Sequence, residues 1–340
     1  MKKINLAIVG ATGLVGTTLL DILEDRHFPI DQLYLLASDR SAGEIVEYHG
    51  KSYEVGDVEQ FDFSKAQIAI FSAGNEIAEK YAPIAAKRKC IVIDNSSHFR
   101  YDKEVPLIVP EVNGELLKKK LPRNIIANPN CSTAQLVVAL KPIYDAVGIA
   151  RINVVTYQSV SGQGKEALEE LAKQTANLLG GKPYASKLFP KQIAFNVLPH
   201  IDVFEENGYT REEMKMVWET QKILSDSSIL VNPTAARVPV FYGHAMAVHI
   251  ETKEKLGVTK ARQLLRKAPG VEVLDVRKPG GYPTQVTEAS GKDVVFVGRI
   301  REDISHPLGL DMWVVADNLR KGAALNAIQI AESLMANGVV

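Results

Sequence analysis

Two cysteines occur in the 340 residues, Cys90 and Cys131, in different surroundings. Cys131 follows Asn128, Pro129 and Asn130 and precedes an apolar spacing, Leu136, Leu140, Ile143 and Val147, that predicts an amphipathic helix opening at the thiol. A thiol there lies at the positive end of the helix dipole, which favours the thiolate. Free backbone N–H groups at the same end can hold an oxyanion forming on a bound carbonyl. This is the chemistry of a nucleophile. The plain alternative is a buried cysteine packing as a small hydrophobe. Cys90, leading the apolar run Ile91-Val92-Ile93, is read that way, and two thiols so far apart make no disulfide framework.

A nucleophile needs a base. The candidate is His244, in an extended segment that runs from Arg237 through Pro239 and Gly243 to Ile250. Strict alternation along one strand puts Arg237 and His244 on opposite faces, because they are an odd number apart; Pro239 and Gly243 offer places for a bend that unites them. His249 is read as structural. Upstream, a strand over 152–157 leads into Gln158-Ser159-Val160-Ser161-Gly162-Gln163-Gly164 and a helix reaching Leu179. Residues 180–200, rich in Gly, Pro and Lys, read as an irregular excursion and a candidate dimer contact. A helix from Arg211 to Leu224 sets Glu219 and Lys222 three apart on one face, in isolation the pattern of a solvated ion pair.

The first half has a different logic. Apolar residues from Ile4 to Val9 run into Gly10-Ala11-Thr12-Gly13-Leu14-Val15-Gly16 and then a helix carrying Leu19, Leu20 and Leu23. Strand, glycine turn and helix is the dinucleotide-binding order: glycines allow close backbone approach, and pyrophosphate rests on the helix N-terminus. A second strand over 32–37 ends in Ser38-Asp39-Arg40-Ser41-Ala42-Gly43. A guanidinium flanked by two hydroxyls suits a ribose 2′-phosphate and points to NADP rather than NAD, whereas Asp39 pulls the other way. Strands over 67–71 and 90–93 end in Ser72-Ala73-Gly74-Asn75 and in Asp94-Asn95-Ser96-Ser97-His98-Phe99-Arg100. Ligands in open α/β sheets lie past the carboxyl ends of strands, so these loops are expected to line a cleft, with Arg100 a candidate anion clamp.

The length suits two domains with well-filled cores, and the 46% hydrophobic content agrees. A formal net charge of zero, with both signs interspersed, offers no footprint for nucleic acid or an anionic membrane. No apolar run reaches membrane-spanning length and no secretory cleavage pattern is visible, so a cytoplasmic protein is expected. No cluster suggests a metal site. The expected fold is an α/β pair: residues 1–130 as an NADP-binding Rossmann domain, completed by a C-terminal helix over 321–340, and residues 131–320 as a mixed-sheet catalytic and dimerisation domain. A hairpin with arms over 294–301 and 310–316 belongs to the mixed sheet.

In this order, the glycine turn, SDRSAG at 38–43, DNSSHFR at 94–100, NPNCST at 128–133, QSVSGQG at 158–164, ETQK at 219–222 and the Arg237-to-His244 spacing resemble the aspartate-β-semialdehyde dehydrogenase family. The resemblance implies a glyceraldehyde-3-phosphate dehydrogenase-like fold and a homodimer. It also implies NADPH-dependent reduction of β-aspartyl phosphate to aspartate semialdehyde with release of inorganic phosphate, a step towards lysine, diaminopimelate, threonine and methionine. Carried over residue by residue, it makes Cys131 the nucleophile that forms a thioester and His244 the acid and base, with Asn130 and Gln158 orienting the intermediate. Arg237 becomes the clamp on the substrate α-carboxylate, Glu219 the partner of its ammonium group, and Arg100 and Lys222 the phosphate-binding cations. Gly10, Thr12, Gly13, Leu14, Val15, Gly16, Ser38, Arg40, Ser41, Gly43, Ser72, Ala73, Gly74, Ser161, Gly162 and Asn318 become contacts of NADP(H). Two other readings stay open: another acyl-phosphate reductase, such as N-acetyl-γ-glutamyl-phosphate reductase, and a non-catalytic NADP-binding sensor.

Overall fold

The computed structural model describes residues 3–119 and 121–340. They form two compact units, the chain up to Asn130 with Ala323–Val340, and Cys131–Gly322.

The first unit is built on a parallel sheet. Its strands are β1 (Ile4–Val9), β2 (Ile30–Ala37), β5 (Gly56–Asp57), β6 (Ile68–Phe71), β7 (Ile91–Asp94) and β8 (Ile125–Ala127), in the order β5-β2-β1-β6-β7-β8, while β3 (Ile45–Tyr48) and β4 (Lys51–Glu54) pair as a separate hairpin. Parallel strands are covered on both faces and therefore read as apolar runs. Every residue of β6, β7 and β8 is buried. Helices α1 (Leu14–Asp25), α2 (Asn75–Lys87) and the short α3 (Pro110–Asn113) follow their strands. Helix α1 buries Leu19, Leu20, Ile22 and Leu23, each stabilising the core by roughly 1.5–3 kcal/mol. From β1 the chain goes outward to β2 and then returns to β1's other side at β6, which makes the β1–β6 gap the topological switch point.

The second unit begins with α4 (Cys131–Val147) and continues through β9 (Ile149–Gln158), α5 (Lys165–Leu179), α6 (Arg211–Leu224), β10 (Leu230–Arg237), β11 (His244–Thr252), α7 (Val258–Lys267), β12 (Val271–Val273), β13 (Val295–Glu302) and β14 (Gly309–Ala316). Its mixed sheet has the order β10-β9-β11-β14-β13-β12. Strand β9 alternates cleanly: Ile152, Val154, Thr156 and Gln158 are buried, whereas Asn153, Val155 and Tyr157 are half-buried. Helix α4 lies against β9, β11, β13 and β14, and α6 against α4 and β10.

Two expectations change. Helix α4 is not amphipathic: every residue from Ser132 to Leu140 is buried, because the sheet, α6 and α7 enclose it. The segment from Arg237 to Ile250 is not one strand. Arg237 ends β10 and His244 starts β11, and residues 238–243 cross from one side of β9 to the other. The alternation argument therefore does not apply.

Residues 180–200 contain no helix or strand longer than an isolated bridge, yet several of their backbone N–H groups are bonded by buried side chains. The Glu170 carboxylate accepts from the N–H groups of Lys187 and Leu188, and Gln174 Oε1 accepts from those of Ile193 and Ala194 at 3.0 Å each. The final helix, α8 (Leu325–Ala336), packs on α1, α3 and β7 of the first unit. An Arg26–Glu332 pair, two N–H···O bonds of 2.8 Å, fastens it to the residue after α1. No described helix is long and apolar enough to cross a membrane.

Candidate active site

At the switch point of the first unit, the glycine turn is sterically obligatory. Gly10 has φ +89°, and a Cβ there would come within 2.5 Å of the Ser72 carbonyl oxygen at the end of β6. A Cβ on Gly16 would lie 2.2 Å from the Gly10 oxygen. Gly13 caps α1 without a side-chain bond, and no acidic residue stands in the first turn, so the helix dipole is left for an anion. Thr12, Leu14 and Val15 lie within this turn. Gly43 and Gly74 also have positive φ, +89° and +87°, but open space around them. Ser38 O accepts from the N–H groups of Ser41 and Ala42, closing the turn that carries exposed Arg40. A dinucleotide phosphate fits this cradle: backbone only, closely approached, with no carboxylate in the way.

The loops after β6 and β7 are tied together, since Asn75 Oδ1 accepts from Ser97 N–H and Oγ–H at 3.0 and 3.1 Å. Arg100 is buried and its Nη2 donates to the Asn95 carbonyl at 2.8 Å, so it is not a surface arginine. Beside it, burial raises the pKa of the Asp94 carboxyl against the pull of two Ser96 hydrogen bonds. The sequence reading passed over Asn95, whose amide oxygen and nitrogen are both buried without a hydrogen-bond partner among the described residues. Its place in the loop after β7 was the available signal. Asn130 is buried immediately before α4.

In the second unit, one row of the sheet carries three of the named residues. Gln158 pairs in register with Arg237 on its parallel neighbour and with His244 on its antiparallel neighbour. Residues opposite one another on adjacent strands share a face, here the buried one. Arg237 and His244 thus meet through a third strand rather than through a bend. Cys131 opens α4, with no acidic residue in its first turn, and is half-buried. Cys90 in the first unit is fully buried, and burial pushes its thiol up to about 12, which makes it inert.

Local bonds fix what each group presents. Gln158 Nε2 donates to Glu212 Oε1 at 3.0 Å and to Thr156 Oγ1 at 3.3 Å, which commits both amide hydrogens and leaves Oε1 as an acceptor. The opposite amide orientation would set oxygen against a carboxylate. Glu212, buried, also meets Lys215 Nζ at 3.2 Å. Burial lowers the pKa of Arg237, while the charges of Glu212 and Cys131 raise it; its Nη1 donates to Ser159 O at 3.0 Å. The guanidinium stays protonated and within electrostatic reach of the thiol.

His244 is fully buried, and burial followed by the Arg237 charge lowers its pKa to about 3, so the ring is neutral near pH 7. Its Nδ1 accepts the Ser159 backbone N–H at 3.1 Å, and its Nε2 has no hydrogen-bond partner among the described residues. A Cβ on Gly162 would lie 3.1 Å from Arg237 Nη1 and 3.5 Å from His244 Nε2, so glycine keeps the space beside both groups clear. Gly322 does the same for the thiol, since its Cβ would lie 2.6 Å from that of Cys131. Asn318 Oδ1 gathers the loop ends, accepting from Gly243 N–H at 2.9 Å and from the hydroxyls of Ser159 and Ser161 at 3.1 Å each.

Glu219 is fully buried and Lys222 is half-buried, which removes the solvated-pair reading of that helix face for Glu219. Sequence reasoning missed Glu212, Ser159 and Gly322. Glu212 had a signal: it stands seven residues before Glu219, two turns back on the same helical face. Ser159 and Gly322 act through backbone placement that no periodicity encodes.

Comparison with known proteins agrees with this geometry. Residues 5–120 match the model of the semialdehyde dehydrogenase NAD binding domain, and residues 140–321 that of the semialdehyde dehydrogenase dimerisation domain. An aspartate-semialdehyde dehydrogenase of Shewanella violacea is 60% identical over 334 residues, 98% of each chain. The crystal structure of aspartate semialdehyde dehydrogenase II of Vibrio cholerae, complexed with ASA, superposes with a TM-score of 0.96 at 58% identity, covering 99% of each chain. That of the Candida albicans enzyme with NADP gives a TM-score of 0.79 at 26% identity over 100% of each chain. The chain belongs to the aspartate-semialdehyde dehydrogenase family.

Proposed function

We propose that this protein reduces L-β-aspartyl phosphate to L-aspartate β-semialdehyde, reversibly, with NADPH as reductant and through a thioester on Cys131. The observation that carries the reading is the Arg237–Gln158–His244 row on the buried sheet face, in the same unit as the helix that Cys131 opens, with Arg237 coupled electrostatically to the thiol. The Cys131 thiolate attacks the acyl carbon, and collapse of the tetrahedral adduct expels inorganic phosphate and leaves the acyl group on sulfur. A thiolate suits both the attack and its later departure. NADPH, when bound, supplies the hydride that reduces this acyl group. His244 Nε2 takes the thiol proton and returns a proton to the developing oxyanion. Gln158 Oε1 and Asn130 orient the reacting group. Arg237 holds the substrate α-carboxylate with its two-pronged fork and Glu219 the ammonium group, while Arg100 and Lys222 receive the phosphate.

Residues 1–130 with the helix of 321–340 are assigned NADP binding through Gly10, Thr12, Gly13, Leu14, Val15 and Gly16, through Ser38, Arg40, Ser41 and Gly43, and through Ser72, Ala73 and Gly74. Residues 131–320 are assigned catalysis and dimerisation. The match to a dimerisation-domain model and a sheet face left half-buried at Asn153, Val155, Ala247 and His249 support a homodimer. A cytoplasmic location suits the pathway role.

Purified protein incubated with NADP, phosphate and aspartate semialdehyde is expected to generate NADPH absorbance. No absorbance with this aldehyde, or a faster rate with N-acetylglutamate semialdehyde, overturns the substrate assignment.

A further inference from the structure

His244 Nδ1 has two partners at the same distance, and both belong to one residue. The Ser159 backbone N–H donates to it at 3.1 Å, and the Ser159 hydroxyl oxygen lies 3.1 Å from it. The first bond fits one neutral tautomer only, whereas the second fits either, since a hydroxyl can donate or accept. While Nδ1 accepts from the backbone N–H, the neutral ring carries its proton on Nε2. An Nε2 that already bears a hydrogen cannot take one from a thiol. The base-competent ring has its proton on Nδ1, and that proton needs an acceptor, which a backbone N–H cannot be. The Ser159 hydroxyl can serve. Its own hydrogen has acceptors in Asn318 Oδ1 and Ser161 Oγ, each at 3.1 Å, and bonding to either leaves a lone pair for the ring. Asn318 is held in turn by the Gly243 N–H at 2.9 Å, so the acceptor arrangement is anchored to the residue preceding His244.

We propose that Ser159 is a positioning residue that keeps the resting His244 ring in exchange between tautomers, its N–H favouring the Nε2–H form and its hydroxyl accepting the Nδ1 proton of the form in which Nε2 works as a base. The inference rests on His244 being the acid–base group. When the thiol proton moves to Nε2, the ring becomes an imidazolium whose Nδ1–H bonds to Ser159 Oγ. When Nε2 gives that proton to the oxyanion, the ring returns to the neutral form with Nδ1–H. No proton is gained or lost over the cycle at this residue. The charged groups acting on the ring are Arg237, which disfavours the imidazolium, and Glu212, which favours it. Neither contacts Nδ1 by a hydrogen bond among the described residues. The Gly243 backbone also hydrogen-bonds to the ring and raises its pKa, while the partners seen on Nδ1 among the described residues both belong to Ser159.

Ser159→Ala removes the hydroxyl and keeps the N–H. In protein carrying ¹⁵N-labelled histidine, long-range ¹H–¹⁵N correlations report which ring nitrogen bears the proton, with His244→Asn identifying the signal among seven histidines. The wild-type ring is expected to show nitrogen shifts averaged between tautomers, and Ser159→Ala the pure Nε2–H pattern. With that change, kcat should fall about 10-fold with little change in KM, and Ser159→Thr should restore both readouts. Ser161→Ala, whose hydroxyl shares Asn318 but does not touch the ring, should leave the nitrogen shifts unchanged. If Ser159→Ala does not fold, Ser159→Cys gives the same ring readout with a poor acceptor of similar size. A Ser159→Ala ring identical to wild type overturns the proposal, and so does a shifted ring with unchanged kcat. Full activity in His244→Asn would instead overturn the acid–base assignment, and the ring shifts would still report on Ser159.

Discussion

The two units build their sites in opposite ways. In the first, the cradle at the β1–β6 switch point is backbone: Gly10, Gly13 and Gly16 stand within seven consecutive residues, and the constraint on Gly10 and Gly16 is the close approach of another main-chain atom. In the second, the working groups are side chains from Gln158, Glu212, Arg237, His244 and Asn318, spread over more than half the unit and brought together by strand pairing. A backbone site tolerates no added atom. A side-chain site tolerates change in proportion to how many partners hold each group.

That contrast can be broken or sharpened by substitution. Cys131→Ser should lower kcat by about 10⁴-fold or more, because a hydroxyl is neither ionised near neutral pH nor a comparable leaving group. NADP affinity, measured by fluorescence titration, should not change. A variant retaining even a tenth of the rate would falsify the thioester route.

Gly16→Val tests the backbone site. Its Cβ would overlap the Gly10 oxygen at 2.2 Å, so α1 must shift. Thermal melting should show a loss of about 3 kcal/mol, and the NADP dissociation constant should rise. A normal melt with normal NADP binding would mean the cradle is not steric.

Arg237→Lys probes the side-chain site more gently. A point charge cannot reproduce a planar fork, so KM for the semialdehyde should rise by about 10- to 100-fold while the melting temperature stays close to wild type. Unchanged kinetics would remove Arg237 from substrate binding.

The smallest effect is in stability against pH. The folded-state pKa of His244, about 3, lies below its ordinary value, so between these limits the unfolded chain binds the extra proton. His244 therefore costs no stability above about pH 6.5 and progressively more as pH falls. Urea unfolding at pH 7 and pH 5 should show a loss in wild type that exceeds the loss in His244→Asn by about 2 kcal/mol. Equal losses would mean the ring is not buried neutral.

Much of this was legible from the chain. Strand, glycine turn and helix at Ile4–Asp25 follow from apolar runs and local φ requirements, and the start of α4 at Cys131 follows from side-chain spacing. The helix over Arg211–Leu224 was expected from the chain, and the structure adds the capping box that starts it, Thr210 with Glu213. The register of Arg237 and His244 was misread, because a six-residue connection that crosses β9 looks in sequence like a bulge in one strand. The burial of Glu219 was equally out of reach: an i, i+3 acid–base pair has the same spacing whether a sheet or solvent lies over it.

By itself, then, the sequence determined what local physics determines: where the chain turns tightly, where helices open, and which thiol stands at a helix dipole. Tertiary structure decided the rest. Only pairing across β9 puts Arg237 and His244 on either side of Gln158, and only burial keeps the His244 ring neutral and separates an inert Cys90 from a half-buried Cys131. Only the chain path back to Ser159 gives the ring both of its Nδ1 partners. The physical reason is that desolvation and hydrogen-bond geometry depend on neighbours distant in sequence, whereas propensity and spacing record only near ones.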